Sequence, residues 1–63
     1  MLSKEFQKRV YDVHKRIKDG YIKHGKYKYA IAYNATASIH TWIIRQEADG
    51  KWHWLQPLDT SIN

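Results

Sequence analysis

Hydrophobic positions follow two different periods along this chain, and the period changes between Gly20 and Lys26. In the first part Phe6, Val10, Val13 and Ile17 are spaced i, i+4, i+7 and i+11, with Leu2 four positions earlier. At 3.6 residues per turn this keeps them on one face, so the spacing predicts an amphipathic helix over about residues 3–19. The hydroxyl of Ser3 is placed to accept from a free N–H of the first turn. Gly20 stands where a left-handed residue closes a helix, and Lys15, Arg16 and Lys18 suit the negative end of the dipole.

From Lys26 the period is 2. Tyr27, Tyr29, Ile31 and Tyr33 alternate with Lys28, Ala30 and Ala32, which predicts a half-buried strand over about 26–34. Residues 20–25, bracketed by two glycines, are expected as a connector, and residues 34–37 are small and polar enough to turn the chain. A second strand is expected over about 38–47 and a third over about 51–56. Pro57 cannot donate to a ladder, so it ends that strand or sits at an edge. Residues 58–63 read as a loose tail. The expected fold is α+β: one N-terminal amphipathic helix packed on a three-stranded antiparallel sheet (α-β-β-β), in a single small domain of residues 1–63.

The last hairpin sets which side chains share a face. Asp49-Gly50 alone can make a two-residue turn, and Ala48-Asp49-Gly50 a three-residue loop with Gly50 left-handed. A one-residue slip exchanges the faces of a strand. The longer loop sorts polarity better: it pairs Glu47 with Lys51, Ile44 with Trp54 and Ile43 with Leu55. Trp42, Ile44, Trp52 and Trp54 then share one face, and Ile39, Thr41, Ile43, Arg45, His53 and Leu55 the other. The tryptophan face is expected to receive the helix. The opposite face, with Ile43, His53 and Leu55, becomes the candidate interface for another partner or for a homodimer, which an edge strand could also form.

Size makes these packing choices matter. A chain of 63 residues buries only about 60% of the surface its unfolded form exposes. With no cysteine, neither disulfides nor thiolate metal sites can supplement the core. Large aromatic groups or self-association are left to do so, and nine residues are Phe, Tyr or Trp. No apolar run is long enough to span a bilayer, and MLSKEFQKRV lacks a signal-peptide core. The chain is therefore expected to be cytoplasmic, unprocessed and without membrane contact.

Eleven Lys and Arg against six Asp and Glu give a net charge of +5, which points to an anionic partner. On a helical wheel Lys4, Lys8, Lys15 and Lys18 gather opposite the apolar stripe, while Glu5 and Asp12 can pair with Arg9 and Arg16 at i,i+4. That row is either a solvated helix face or a set of phosphate contacts. Lys23, His24, Lys26 and Lys28 follow, interleaved with Tyr21, Tyr27 and Tyr29. Lysines can neutralise phosphates while Tyr27 and Tyr29 offer rings for stacking, and Arg45 adds a further donor. The same pattern also describes core tyrosines beside lysines that guard an edge strand. The four histidines show no metal-ligand spacing, and no elbow motif, carboxylate pair or phosphate loop is present. The residues thus predict no enzyme, no metal and no cofactor. They favour a small basic protein that binds DNA or RNA mainly through its backbone, as an accessory or regulatory factor. The alternative is a small modulator or inhibitor of a larger acidic protein, of the kind found in phages and mobile elements.

Overall fold

The computed structural model describes residues 2–34 and 40–59. Helix α1 spans Lys4–Arg16, capped by the Ser3 hydroxyl, which accepts from the Phe6 N–H at 3.1 Å. It ends three residues before the expected boundary. Ile17 is already extended, and a tight turn closed by the Gly20 N–H to the Ile17 carbonyl (3.0 Å) reverses the chain. The left-handed residue of that turn is Asp19, with φ 57°, not Gly20. Gly20 is required by close approach instead: a Cβ there would lie 2.8 Å from Val13 Cγ1 and 2.9 Å from the Ile17 carbonyl oxygen. Ile17, expected in the apolar stripe, is consequently exposed.

The chain then enters a strand rather than a connector. β1 (Tyr21–His24), β2 (Tyr27–Asn34), β3 (His40–Gln46) and β4 (Trp52–Pro57) form one antiparallel sheet in the order β1-β2-β3-β4. The fold is α+β with four strands, not three. β1 was hidden because, of the two residues it turns to the helix side, Ile22 and His24, only Ile22 is apolar, so its hydrophobic pattern is too short to register. His24 pairs with Tyr27 across a two-residue turn whose first position, Gly25, has φ 65°, the position where a type II′ hairpin needs glycine. The turn expected over 34–37 and the strand start at 38–39 fall on residues 35–39, outside the described residues.

The β3–β4 hairpin has the three-residue loop. Glu47 and Lys51 close it (N···O 3.0 Å), Gly50 donates to the Glu47 carbonyl at 2.9 Å, and Gly50 has φ 80°. Ile44 lies opposite Trp54 as expected, but a bulge then shifts the ladder, so Ile43 pairs with Gln56 instead of Leu55. Leu55 packs against the core while Gln56 accepts from the Leu2 N–H at 3.3 Å. The extra residue thus brings both neighbours to the helix side.

Helix α1 lies on β1 and β2, and this placement overturns the expectation for the tryptophans. On β2 the bulky residues are Tyr27, Tyr29 and Ile31, and the opposite face holds Lys28, Ala30 and Ala32. A helix crossing β2 gains contact only on the bulky face. The pairings Ile31 with Ile43 and Ala32 with Trp42 then carry β3 with it: Ile43 goes under the helix and is fully buried, and Trp42 goes to the far side. Val10, Tyr29, Ile31 and Ile43 form the core, ringed by Leu2, Phe6, Tyr11, Ile22, Tyr27, Leu55 and Leu58. Phe6 meets the edge of Tyr29 at 5.0 Å between ring centroids. The face bearing Ile43 and Leu55, expected to be open to a second copy, is the covered one.

One polar side chain is buried in this core. Gln7, 2% exposed, donates to the Leu2 carbonyl at 3.0 Å and accepts from the Asp59 N–H at 2.9 Å. Leu58 donates to the Thr41 carbonyl at 2.8 Å and packs on the core, so the tail expected over 58–63 is anchored at its first two residues. Residues 60–63 lie outside the described residues. Among the described residues, no helix is long and apolar enough to cross a membrane.

Candidate functional site

The helix leaves one face of the sheet uncovered. The strand registers place Tyr21, Ala30, Ile44 and Trp54 in one row across that face, and Lys23, Lys28, Gln46 and Trp52 in the next. Ala32 and Trp42 extend it. Tyr21, Trp52 and Trp54 are 48%, 41% and 55% exposed, large values for rings of this size. Trp54 stands edge-on to Trp42 at 5.7 Å, and the Lys28 ammonium lies 4.9 Å from the centre of the Tyr21 ring. Ala30 and Ile44 are low between these walls. With Trp52 on one side and His14, Asp19, Gly20 and the core residue Ile31 at the end, they line a groove of about 330 Å³. None of the strand residues facing this side is acidic. The face can therefore offer flat apolar rings and two ammonium groups to one ligand.

The structure splits the basic residues expected to act together. Lys23 and Lys28 join the uncovered face. Lys26 sits at the tip of the β1–β2 turn. Lys4, Lys8, Lys15 and Lys18 belong to the helix and the turn after it, packed on the opposite side of the sheet. Lys4 lies 3.9 Å from the Asp59 carboxylate, and Lys15 lies 3.5 Å from Asp12 and 4.9 Å from the Tyr11 ring. Asp12 thus serves Lys15, not Arg16. Among the described residues, Lys8, Lys18, Lys23, Lys26 and Lys28 have no carboxylate at ion-pair distance.

Two of the three expected stacking tyrosines, Tyr27 and Tyr29, are occupied within the protein, and Tyr21 is exposed. Tyr29 is core, and the Arg45 guanidinium lies 4.3 Å from the centre of the Tyr27 ring. Arg45 itself is held by Glu47 at 2.9 Å. That hydrogen bond, with a smaller contribution from the nearby Tyr29 hydroxyl, keeps its guanidinium above the usual range. It is a structural cation on the helix side, not a free donor. Ile43 is unavailable as an interface residue and Leu55 is half-buried. His53 is exposed on the outer strand β4, 3.5 Å from Asp49.

Sequence reasoning counted Tyr21 among the stacking tyrosines, but missed Trp52 and Trp54 as surface groups and β1 as a strand. Tyr21 fell in the presumed connector, and the indoles were assigned to the core because large aromatics usually go there. A sufficient signal was present in β2: its alanines mark the face that a helix cannot use. Elsewhere, His14 Nε2 lies 2.9 Å from the Tyr33 hydroxyl, and no three His, Asp or Glu side chains gather as a metal site among the described residues. No protein-family model, curated protein or solved structure matches the chain.

Proposed function

We propose that this is a small basic nucleic-acid-binding protein, an accessory or regulatory factor rather than an enzyme, that binds through the uncovered face of its sheet. The observation that carries the reading is the coincidence on one surface of three exposed rings, Tyr21, Trp52 and Trp54, with Lys23 and Lys28 and no acidic strand residue. Phosphate neutralisation supplies affinity without sequence preference, and rings add stacking that every base can satisfy. Affinity for a short oligonucleotide should fall roughly 10-fold between about 50 and 200 mM salt, for the two phosphates that Lys23 and Lys28 can neutralise. Failure of both single strands and duplexes, DNA and RNA, to bind near the lower salt would refute it.

The same exposed indoles favour one other reading, a modulator of a larger acidic protein, since clustered tryptophans anchor interfaces well. Treating a pull-down with nuclease separates the two. Retention of one stoichiometric protein favours the modulator, and loss of all retained material favours nucleic acid.

A further inference from the structure

We infer that the uncovered face takes single-stranded nucleic acid in preference to duplex, with bases on Trp52, Trp54 and Tyr21 and phosphates on Lys23 and Lys28. The inference rests on the nucleic-acid reading above and names the substrate class of the same site.

Stacking requires a base whose flat side is open. In a duplex the flat sides are already stacked, and only base edges reach the grooves. The major groove, roughly 12 Å wide, admits a helix or a two-stranded ribbon. Four strands spaced about 4.8 Å apart span roughly 14 Å between outer backbones before side chains are added. The uncovered face is thus too broad to enter the groove, and α1 lies behind it. Against a duplex its rings would meet only sugar and phosphate. Against a single strand they meet unstacked bases, and the exposure of Tyr21, Trp52 and Trp54 becomes useful.

The charges divide the face in a way that suits one strand. The lysines stand on β1 and β2, and the indoles on β3 and β4. A backbone tracking over Lys23 and Lys28 can turn its bases toward Trp52 and Trp54, across the low floor of Ala30 and Ile44. Asp19, at the far end of the groove, repels phosphate there and leaves that space to a base. The row from Tyr21 to Trp54 is about 14 Å long, room for roughly two or three unstacked nucleotides, which lie farther apart than the ~3.4 Å of a stacked strand.

The test is a titration of the full chain with an eight-nucleotide single strand, as DNA and as RNA, and with a hairpin duplex of the same sequence. Tryptophan fluorescence and affinity are read at several salt concentrations. The expected result is quenching by the single strands and at least ~10-fold weaker binding of the duplex. Trp54→Ala should weaken single-strand binding about 5- to 150-fold with the salt slope unchanged. Lys23→Ala with Lys28→Ala should instead flatten the slope by about 0.7 per lysine. Trp54→Phe keeps a smaller ring and should fall between wild type and alanine, and circular dichroism confirms that each variant is folded. Salt-dependent binding of duplex as tight as that of single strands, without quenching, overturns this inference and leaves the nucleic-acid reading standing. No binding of any form overturns both.

Discussion

Gln7 sits on the apolar side of α1 with its amide between the two ends of the described chain, joined to the Leu2 carbonyl and the Asp59 N–H. A buried amide is stabilising only while its hydrogen bonds are made, and a buried group left unsatisfied costs about 1–3 kcal/mol. Gln7→Ala should therefore lower the unfolding free energy by about 2 kcal/mol, read from the urea midpoint at unchanged slope. An unaltered midpoint would show that water replaces both bonds. Gln7 stood in the helical pattern as an unremarked polar residue. Its burial depends on chain segments more than 50 positions apart, which no local pattern reports. Gly20 teaches the converse. It suggested where the helix closes, but the helix ends earlier, at Arg16; Gly20 is required by the approach of Val13, while Asp19 takes the left-handed conformation.

At the scale of elements, the central question is which face of the sheet α1 covers. Two substitutions on neighbouring residues of β3 and β4 decide it. Ile43 is fully buried under the helix, so Ile43→Ala should cost about 2–5 kcal/mol. Trp54, a much larger side chain, is more than half exposed and makes one edge-on ring contact, so Trp54→Ala should cost only about 1 kcal/mol. Denaturant titrations of the two variants check the order, and a larger loss for Trp54 would place the helix on the other face. The β3–β4 hairpin was legible in sequence because its loop residues carry their own geometry: glycine at the left-handed position and polarity sorted by register. The bulge was not, since it answers to the packing of Leu55 and Gln56 against the helix side.

For the whole molecule the net charge of +5 is less informative than its distribution. Lysines on α1 and lysines on the uncovered face lie on opposite sides of the sheet, so one small ligand cannot touch both. Lys23→Glu with Lys28→Glu should reduce oligonucleotide affinity by at least ~10-fold near 50 mM salt. Lys8→Glu with Lys18→Glu makes the same change in net charge and should reduce it several-fold less, because charges farther apart than about 10 Å are largely screened at 0.1 M salt. Equal losses from both pairs would mean that total charge alone governs binding. The candidate site was therefore half legible: Lys23, Lys28 and Tyr21 were visible in the basic, tyrosine-rich stretch, but Trp52 and Trp54 were not.

Local chemistry in the sequence determined the helix and its Ser3 cap, β2 through its alternation, and the loop of the last hairpin. It also placed Trp42, Ile44, Trp52 and Trp54 on a common face, because strand periodicity and turn geometry act over a few residues. Only the tertiary structure decided that this face is open. That outcome depends on the pairing of β2 with β3, on the added strand β1, and on a helix that follows the bulk of Tyr29 and Ile31 across the sheet. Each is a contact between segments distant in sequence, and together they turn Trp52 and Trp54 from an expected core into a surface, beside a half-buried Trp42.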